Sequence, residues 1–123
     1  MGPSSPRAAG QAAEQQALDY LQAQGLRVLH RNWLSKGGEL DLVMLDGDTV
    51  VFVEVRYRLH AKWGGALGSI DARKQARLIK AAQWFLQIES HWQSSPCRFD
   101  VIALEGSADA THKVQWLSNA FDS

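Results

Sequence analysis

The sequence contains a single cysteine, Cys97, and it has no long apolar run. One cysteine excludes an intramolecular disulfide, so a reducing compartment is expected. No apolar stretch approaches the roughly 18 residues that a membrane-spanning helix needs, and the first residues lack the apolar segment of a signal peptide. These absences predict a cytoplasmic protein that does not enter a membrane.

The sequence also lacks an excess of charge of either sign, since 13 basic and 13 acidic residues give a net charge of zero. Zero net charge argues against general nucleic-acid binding through a strongly basic surface. The distribution is uneven: residues 39–55 hold five acids and no base, whereas residues 56–80 hold seven bases and one acid. This pattern fits a metal site beside a phosphate-binding track, and it fits equally well a solvated surface of alternating charge.

Two segments have apolar residues at helical spacing, and several others have the alternation of strands. Helices are predicted at residues 10–24 and from a cap at Ser69 or Asp71 to about residue 90. Strands are predicted at residues 26–30, 39–45, 49–58, 98–105 and 113–117, with loops at 31–38 and 60–69 and a hairpin turn at 46–48. The inner face of the second helix is predicted to carry Ala76, Ile79, Ala82, Phe85 and Leu86.

This order of elements predicts a mixed β-sheet with helices packed against it, in the α/β or α+β class. Residues 1–8 are predicted to form a disordered tail and residues 9–123 a single domain.

Alternation along the strand at residues 39–45 places Leu40, Leu42 and Met44 on one face and Asp41 on the other. The following strand carries Glu54 on one of its faces, together with Phe52, Arg56 and Arg58. Because a hairpin joins the two strands, Asp41 and Glu54 can converge on one spot.

Two carboxylates held together repel each other unless a cation neutralises them or one takes up a proton. A hard divalent ion such as Mg²⁺ is one interpretation of the Asp41–Glu54 pair. The alternative is an ordinary salt bridge between Glu54 and Arg56 or a neighbouring base.

Glu14 lies on the apolar stripe of the first predicted helix, where a carboxylate needs a partner. Its alternative explanation is a place in the first turn, where the helix dipole favours negative charge. On the second helix, Lys74, Arg77 and Lys80 lie within helical reach of each other and could bind phosphates, or they could form a solvated face.

The segments GELDL (residues 38–42) and VFVEVRYR (residues 51–58) resemble the Asp…Glu-x-Lys core of the PD-(D/E)xK nucleases. More closely, the chain resembles the YraN family of small bacterial proteins, which is similar to archaeal Holliday-junction resolvases. Further matching motifs are Gly10 with Glu14, Arg31-Asn32-Trp33, Gly64-Gly65 with Ser69, Lys74-Gln75, residues 97–101, and the segment around Trp116 and Phe121. The resemblance implies a restriction-endonuclease-like fold.

The same resemblance implies that Asp41, Glu54 and the Val55 carbonyl bind Mg²⁺ or Mn²⁺, with Glu14 near the metal. Arg56 stands where the nuclease motif prefers lysine, and a guanidinium stays protonated, so it cannot act as a general base. Arg56 and Lys74 would instead join Asp41 and Glu54 in catalysis by stabilising phosphoryl charge. The residues expected to guide the DNA backbone are Arg58, Lys62, Arg73, Lys74 and Arg77.

The implied function is that of a metal-dependent DNA endonuclease that acts on branched, Holliday-junction-like DNA and assembles as a homodimer. Two other functions are consistent with the residues: a non-catalytic nucleic-acid-binding module in DNA repair or recombination, and a structural domain whose acids are paired on the surface. Metal affinity separates the first two from the third. Cleavage that is lost in Asp41→Ala and Glu54→Ala separates the first from the second.

Overall fold

A computed structural model of the protein describes residues 6–59, 70–106 and 112–122, and no side chains of residues 6–9, 58, 59 and 112. The elements in these ranges are α1 (Pro6–Ala23), β1 (Arg27–Ser35), β2 (Gly38–Asp46), β3 (Thr49–Leu59), α2 (Ala72–Ile88), a 3-10 helix (Ser90–Trp92), β4 (Cys97–Gly106) and β5 (His112–Phe121).

The five strands form one sheet in chain order, β1-β2-β3-β4-β5. Neighbouring strands are antiparallel except β3 and β4, which are parallel. A parallel pair needs a crossover connection, and α2 lies in the segment that provides it. The predicted α/β (α+β) class is confirmed, and the arrangement is consistent with a restriction-endonuclease-like fold.

The two helices cover opposite faces of the sheet, and each face has its own apolar cluster. Because successive strand residues point to opposite faces, Val51 and Val53 pack towards α1, while Val50 and Phe52 pack towards α2. The buried residues that the helices contribute are Ala13, Ala17, Leu18 and Leu21 from α1 and Leu78, Ala81, Ala82 and Phe85 from α2.

Local signals place the turns and caps as the sequence predicts. Gly47 has a φ of +62° in the turn between β2 and β3, a conformation that glycine adopts without strain. Asp71 caps α2, because its side chain accepts a hydrogen bond of 2.9 Å from the backbone N–H of Lys74. Within the described ranges, no helix is long and apolar enough to cross a membrane.

Three predicted features of the elements are wrong. The first helix begins at Pro6, so residues 6–8 are helical rather than part of a disordered tail; proline suits the first helical position, where its missing N–H is not needed. The first strand continues to Ser35, because residues predicted as a loop pair with β2. Ala76 is exposed, since helical spacing puts it opposite the buried Leu78 and Phe85. Residues 1–5 and the loop predicted at 60–69 lie outside the described residues.

Candidate functional site

The site forms where β2 and β3 separate. Their paired residues run from Asp46 and Thr49 at the turn to Leu42 and Val53. Beyond that pair, a side chain replaces the ladder: Asp41 Oδ2 accepts a hydrogen bond of 2.9 Å from the backbone N–H of Val55. The Asp41 carboxyl is therefore fixed against the backbone of β3.

The regular alternation of β2 also ends at Asp41. Leu42 and Met44 pack in the cluster beneath α1, whereas Leu40 packs with Val43 in the cluster beneath α2. The prediction that Leu40 shares a face with Leu42 and Met44 is therefore wrong. Beyond the last β2–β3 pair, hydrogen bonds to β3 no longer impose the pleat, which allows the strand to change the face that Leu40 occupies.

Asp41 and Glu54 meet at this point, as alternation along the two strands predicts. Glu54 is buried, with only 4% of its surface exposed. Burial, followed by the negative charge of Glu54, raises the pKa of Asp41 to about 8, although the hydrogen bond from the Val55 N–H acts in the opposite direction. A hydrogen bond between the two side chains also favours the protonated Asp41. Near neutral pH the pair therefore retains a proton.

Two cations contact Glu54. The Arg56 guanidinium and the Lys74 ammonium each lie 3.3 Å from Glu54 Oε2. The ion pair expected from the salt-bridge alternative is thus present, and it extends to a second base from the first turn of α2. It does not account for Asp41, whose carboxyl lies beside another carboxyl.

These groups line a cleft of about 470 Å³. The side chain of Glu14 reaches the same cleft from α1, and Tyr57 lines it from β3. Burial raises the pKa of Glu14, and the charges of Glu39 and Glu54 add to the rise, while Asn32 and Arg31 oppose it. Glu14 therefore faces the cleft as a partly desolvated acid, as its place on the apolar stripe predicts.

Asn32 is a site residue for which the sequence predicted no role. It hydrogen-bonds to the side chain of Glu14, and its φ of +50° is a conformation that asparagine tolerates better than most residues. A second cavity of about 470 Å³ is lined by Glu14, Asn32 and Glu39, so Glu39 flanks the cleft from the solvent side. The sequence signal for Asn32 was the Arg31-Asn32-Trp33 motif, but that motif did not show that Asn32 lies beside Glu14.

The donor set suits a hard divalent cation. Asp41 and Glu54 provide carboxylate oxygens, and the Val55 carbonyl follows Glu54 in β3. A cation would replace the proton that the repulsion between the two carboxylates retains. Among the residues that the structure describes, no three histidine, cysteine or acidic side chains are close enough together to hold a metal ion. Glu14 therefore lies in the cleft without forming a three-carboxylate group with Asp41 and Glu54.

The residues predicted to bind the DNA backbone are only partly described. Arg73 and Arg77 are exposed on α2, and Lys74 is half-buried at the cleft. Lys62 and the side chain of Arg58 lie outside the described residues.

Comparison with known proteins identifies close relatives over nearly the whole chain. A "UPF0102 protein" of Pseudomonas putida is 69% identical over 122 residues, covering 99% of both chains. The protein of the same name from Pseudomonas savastanoi pv. phaseolicola is 61% identical over 120 residues, covering 98% of both chains. Residues 13–104, which include Glu14, Asp41, Glu54 and Lys74, match the uncharacterised protein family UPF0102. The fold, the motifs and these similarities together establish that the chain belongs to the UPF0102 (YraN) family.

Proposed function

We propose that the protein is a metal-dependent endonuclease that hydrolyses phosphodiester bonds in DNA. The observation that carries the proposal is the Asp41–Glu54 pair, in which burial and mutual repulsion raise the pKa of Asp41 to about 8. Perturbed acids in a cleft are typical of functional sites, because a purely structural acid is normally satisfied by donors. This pair lines a cleft that also contains the bases Arg56 and Lys74.

In this proposal Asp41, Glu54 and the Val55 carbonyl hold Mg²⁺ or Mn²⁺. The bound ion would acidify a water molecule and offset negative charge on the scissile phosphate. Hydrolysis forms a bond between the water oxygen and phosphorus and breaks the bond to the leaving sugar oxygen, which takes up a proton. Glu14, at the edge of the cleft, would orient water there.

Lys74 and Arg56 would stabilise the charge that develops on the phosphoryl oxygens. Both now neutralise Glu54 at 3.3 Å. A cation bound to Glu54 would take over that neutralisation and leave the ammonium of Lys74 available for the phosphate. Lys74 would thereby supply the lysine that the nuclease motif has at the position of Arg56.

A DNA-binding module without cleavage is the second candidate. The observation that favours it is Arg56 itself, since an arginine at this position cannot take a proton from water at any working pH. In such a module the cleft would bind a phosphate through Arg56 and Lys74, and a metal would strengthen that binding.

The test is cleavage of labelled four-way junction, flap, single-stranded and duplex DNA with Mg²⁺ or Mn²⁺. Wild-type protein is expected to cut at least one substrate only when the metal is present, and Glu54→Ala is expected to lose cutting by about a thousandfold or more. Asp19→Ala is a matched control, because Asp19 is an exposed acid on α1 away from the cleft.

Each outcome separates the candidates. Cutting that persists in Glu54→Ala would show that it comes from a contaminant or another site and would overturn the nuclease proposal. Metal-enhanced binding without cutting would support the binding module. The substrate that is cut fastest would show whether branched DNA is preferred.

A further inference from the structure

The second helix carries an unusual set of charges. Its sequence, ARKQARLIKAAQWFLQI, has four basic residues within its first nine positions and no acid anywhere. Basic residues near a helix N-terminus oppose the helix dipole, which favours negative groups there. The arrangement therefore favours binding of an anion along this part of α2.

Three of the bases lie on the same side of the helix as an aromatic residue, Trp84. Arg73, Arg77, Lys80, Trp84 and Gln87 recur at intervals of four, three, four and three residues. Such spacing places them on one narrow stripe. Arg73, Arg77 and Lys80 are exposed, and Trp84 is half-buried, so the stripe faces solvent.

This stripe is continuous with the cleft. A small cavity of about 120 Å³ is lined by Asp41 and Lys74, which also line the cleft, and by Arg77 and Gly38. A groove of about 160 Å³ follows farther along α2, where it is lined by Lys80, Gln83, Trp84 and Gln87.

The turn between β1 and β2 holds Trp84 in place. A Cβ atom added at Gly37 would lie 2.7 Å from Trp84 Cδ1 and 3.1 Å from Lys80 Cγ. The indole edge and the lysine stem are thus packed against this glycine. A fixed indole is a better stacking surface than a mobile one, because less side-chain entropy is lost on binding.

The groove has the chemistry that a nucleobase requires. An indole offers a flat surface for stacking, the amides of Gln83 and Gln87 can donate to and accept from a base edge, and the ammonium of Lys80 can pair with a phosphate. Lys74 and Trp84 are ten residues apart, which corresponds to about 15 Å along a helix. A stacked DNA strand advances by about 3.4 Å per nucleotide, so the separation spans roughly four nucleotides.

We infer that the groove at Trp84 binds an unpaired DNA base about four nucleotides from the phosphate bound at Lys74. This inference rests on the proposed function, and it specifies that the DNA substrate carries a single-stranded segment. Bases within a duplex are stacked on their neighbours and cannot offer a face to the indole. Arg77 and Lys80 bind the intervening phosphates.

The test is binding, measured by fluorescence anisotropy without a divalent metal. Two labelled DNAs of equal duplex length are compared, one blunt and one with an unpaired tail of about eight nucleotides. Trp84→Ala is expected to weaken binding of the tailed DNA by roughly five- to 150-fold and binding of the blunt DNA by less than about twofold. Trp84→Phe should bind as the wild type does, because it retains an aromatic face.

Two controls define the effect of charge. Lys80→Gln should weaken binding and reduce the slope of log affinity against log salt by about one, as loss of one phosphate contact requires. Lys113→Gln, on the exposed side of β5, removes the same charge away from the stripe and should leave both affinity and slope unchanged.

A second measurement does not depend on the folding of Trp84→Ala. In wild-type protein, an abasic nucleotide placed at successive tail positions should weaken binding at one position, where a base reaches the indole. Two results would overturn the inference. One is equal affinity with the abasic nucleotide at every position, and the other is an equal loss of affinity for the tailed and the blunt DNA in Trp84→Ala. Because no cleavage is measured, failure of the nuclease proposal would leave these results intact, and cleavage without a Trp84 effect would refute the inference alone.

Discussion

Asp41 on β2 and Asp100 on β4 belong to the same sheet, but the groups that surround the two carboxyls differ. Asp100 is completely buried and accepts hydrogen bonds from the Arg98 guanidinium, from Trp116 Nε1 at 2.9 Å and from the Asn119 backbone N–H at 2.9 Å. Asp41 accepts the Val55 N–H and lies against Glu54. One carboxylate is surrounded by donors, and the other is beside a second acid.

The donors around Asp100 explain what it does. β4 and β5 lose their regular register between Phe99 and Val101, and Asp100 lies in that interval. Its hydrogen bond to Asn119, whose φ is +55°, stabilises the irregular part of β5. Arg98 also contacts Asp46 at 2.9 Å, which connects β4 to the turn between β2 and β3.

The comparison shows that burial of an acid does not by itself indicate a functional site. A buried carboxylate with a complete set of donors stabilises the fold. A buried carboxylate beside another one is repelled by it unless a proton or a cation neutralises the charge. This difference is measurable, because substitutions at the two aspartates should change stability in opposite directions.

The largest effect on stability is expected for Asp100→Ala. The substitution leaves the partly buried donors of Trp116, Asn119 and Arg98 without this acceptor. Each such loss costs about 1–3 kcal/mol, so a total of about 3 kcal/mol is expected. The free energy of unfolding, measured in urea at neutral pH, should fall by this amount. A loss below about 1 kcal/mol would show that these donors find water instead, and the structural function assigned to Asp100 would be wrong.

Asp41→Asn should instead raise the free energy of unfolding at alkaline pH. The folded state holds a proton on Asp41 up to about pH 8, while the unfolded carboxyl has a pKa of 3.8, so the folded state binds more protons between these values. Wild-type stability should therefore fall as pH rises from about 4 to 8. The asparagine variant should flatten this dependence and have a larger free energy of unfolding than the wild type at pH 8.

The control for that measurement is Asp19→Asn, which changes an exposed acid on the same protein. It should retain the wild-type dependence on pH. A wild-type profile that is flat or rises between pH 4 and 8 would show that Asp41 is ionised in the folded protein.

A divalent cation should remove the cost of the acidic pair. With Mg²⁺ or Mn²⁺ at about ten times its dissociation constant, the wild type at pH 8 should gain about 1.4 kcal/mol, visible as a rise in melting temperature. Asp41→Asn and Glu54→Gln should show little rise, whereas Asp19→Asn should respond as the wild type does. Equal responses in all variants would place metal binding elsewhere.

The smallest change is expected for Glu14→Gln. Glu14 faces the cleft but belongs to no three-carboxylate group in the described residues, so it should affect a bound ion through water and through long-range charge. The metal-induced rise in melting temperature should be reduced without being abolished. Complete loss, as large as in Glu54→Gln, would identify Glu14 as a direct ligand.

Features set by neighbours in the chain were predictable from the sequence. The turn at Gly47, the cap at Asp71 and the strands on either side of the turn depend on residues only a few positions apart. The convergence of Asp41 and Glu54 was also predictable, because the hairpin joins their strands directly and alternation limits the choices. The family resemblance assigned the same two acids to the site.

Features set by distant contacts were not predictable. The Asp100 network was missed because Trp116 and Asn119 are 16 and 19 residues from it in the chain. The change of face at Leu40 was missed because it depends on where the β2–β3 ladder ends. The place of Lys74 on the second helix was foreseen, but its 3.3 Å contact with Glu54 requires the crossover that places α2 against the sheet.

The sequence by itself therefore determined the class of fold, the order and type of the elements, and the two acids that converge. Their period of two or 3.6 residues, their turns and their caps follow from local geometry. Tertiary structure decided which acid remains beside another acid and which is satisfied by donors. That choice depends on register, strand separation and burial, because the free energy of a carboxylate is set by the groups that surround it in space.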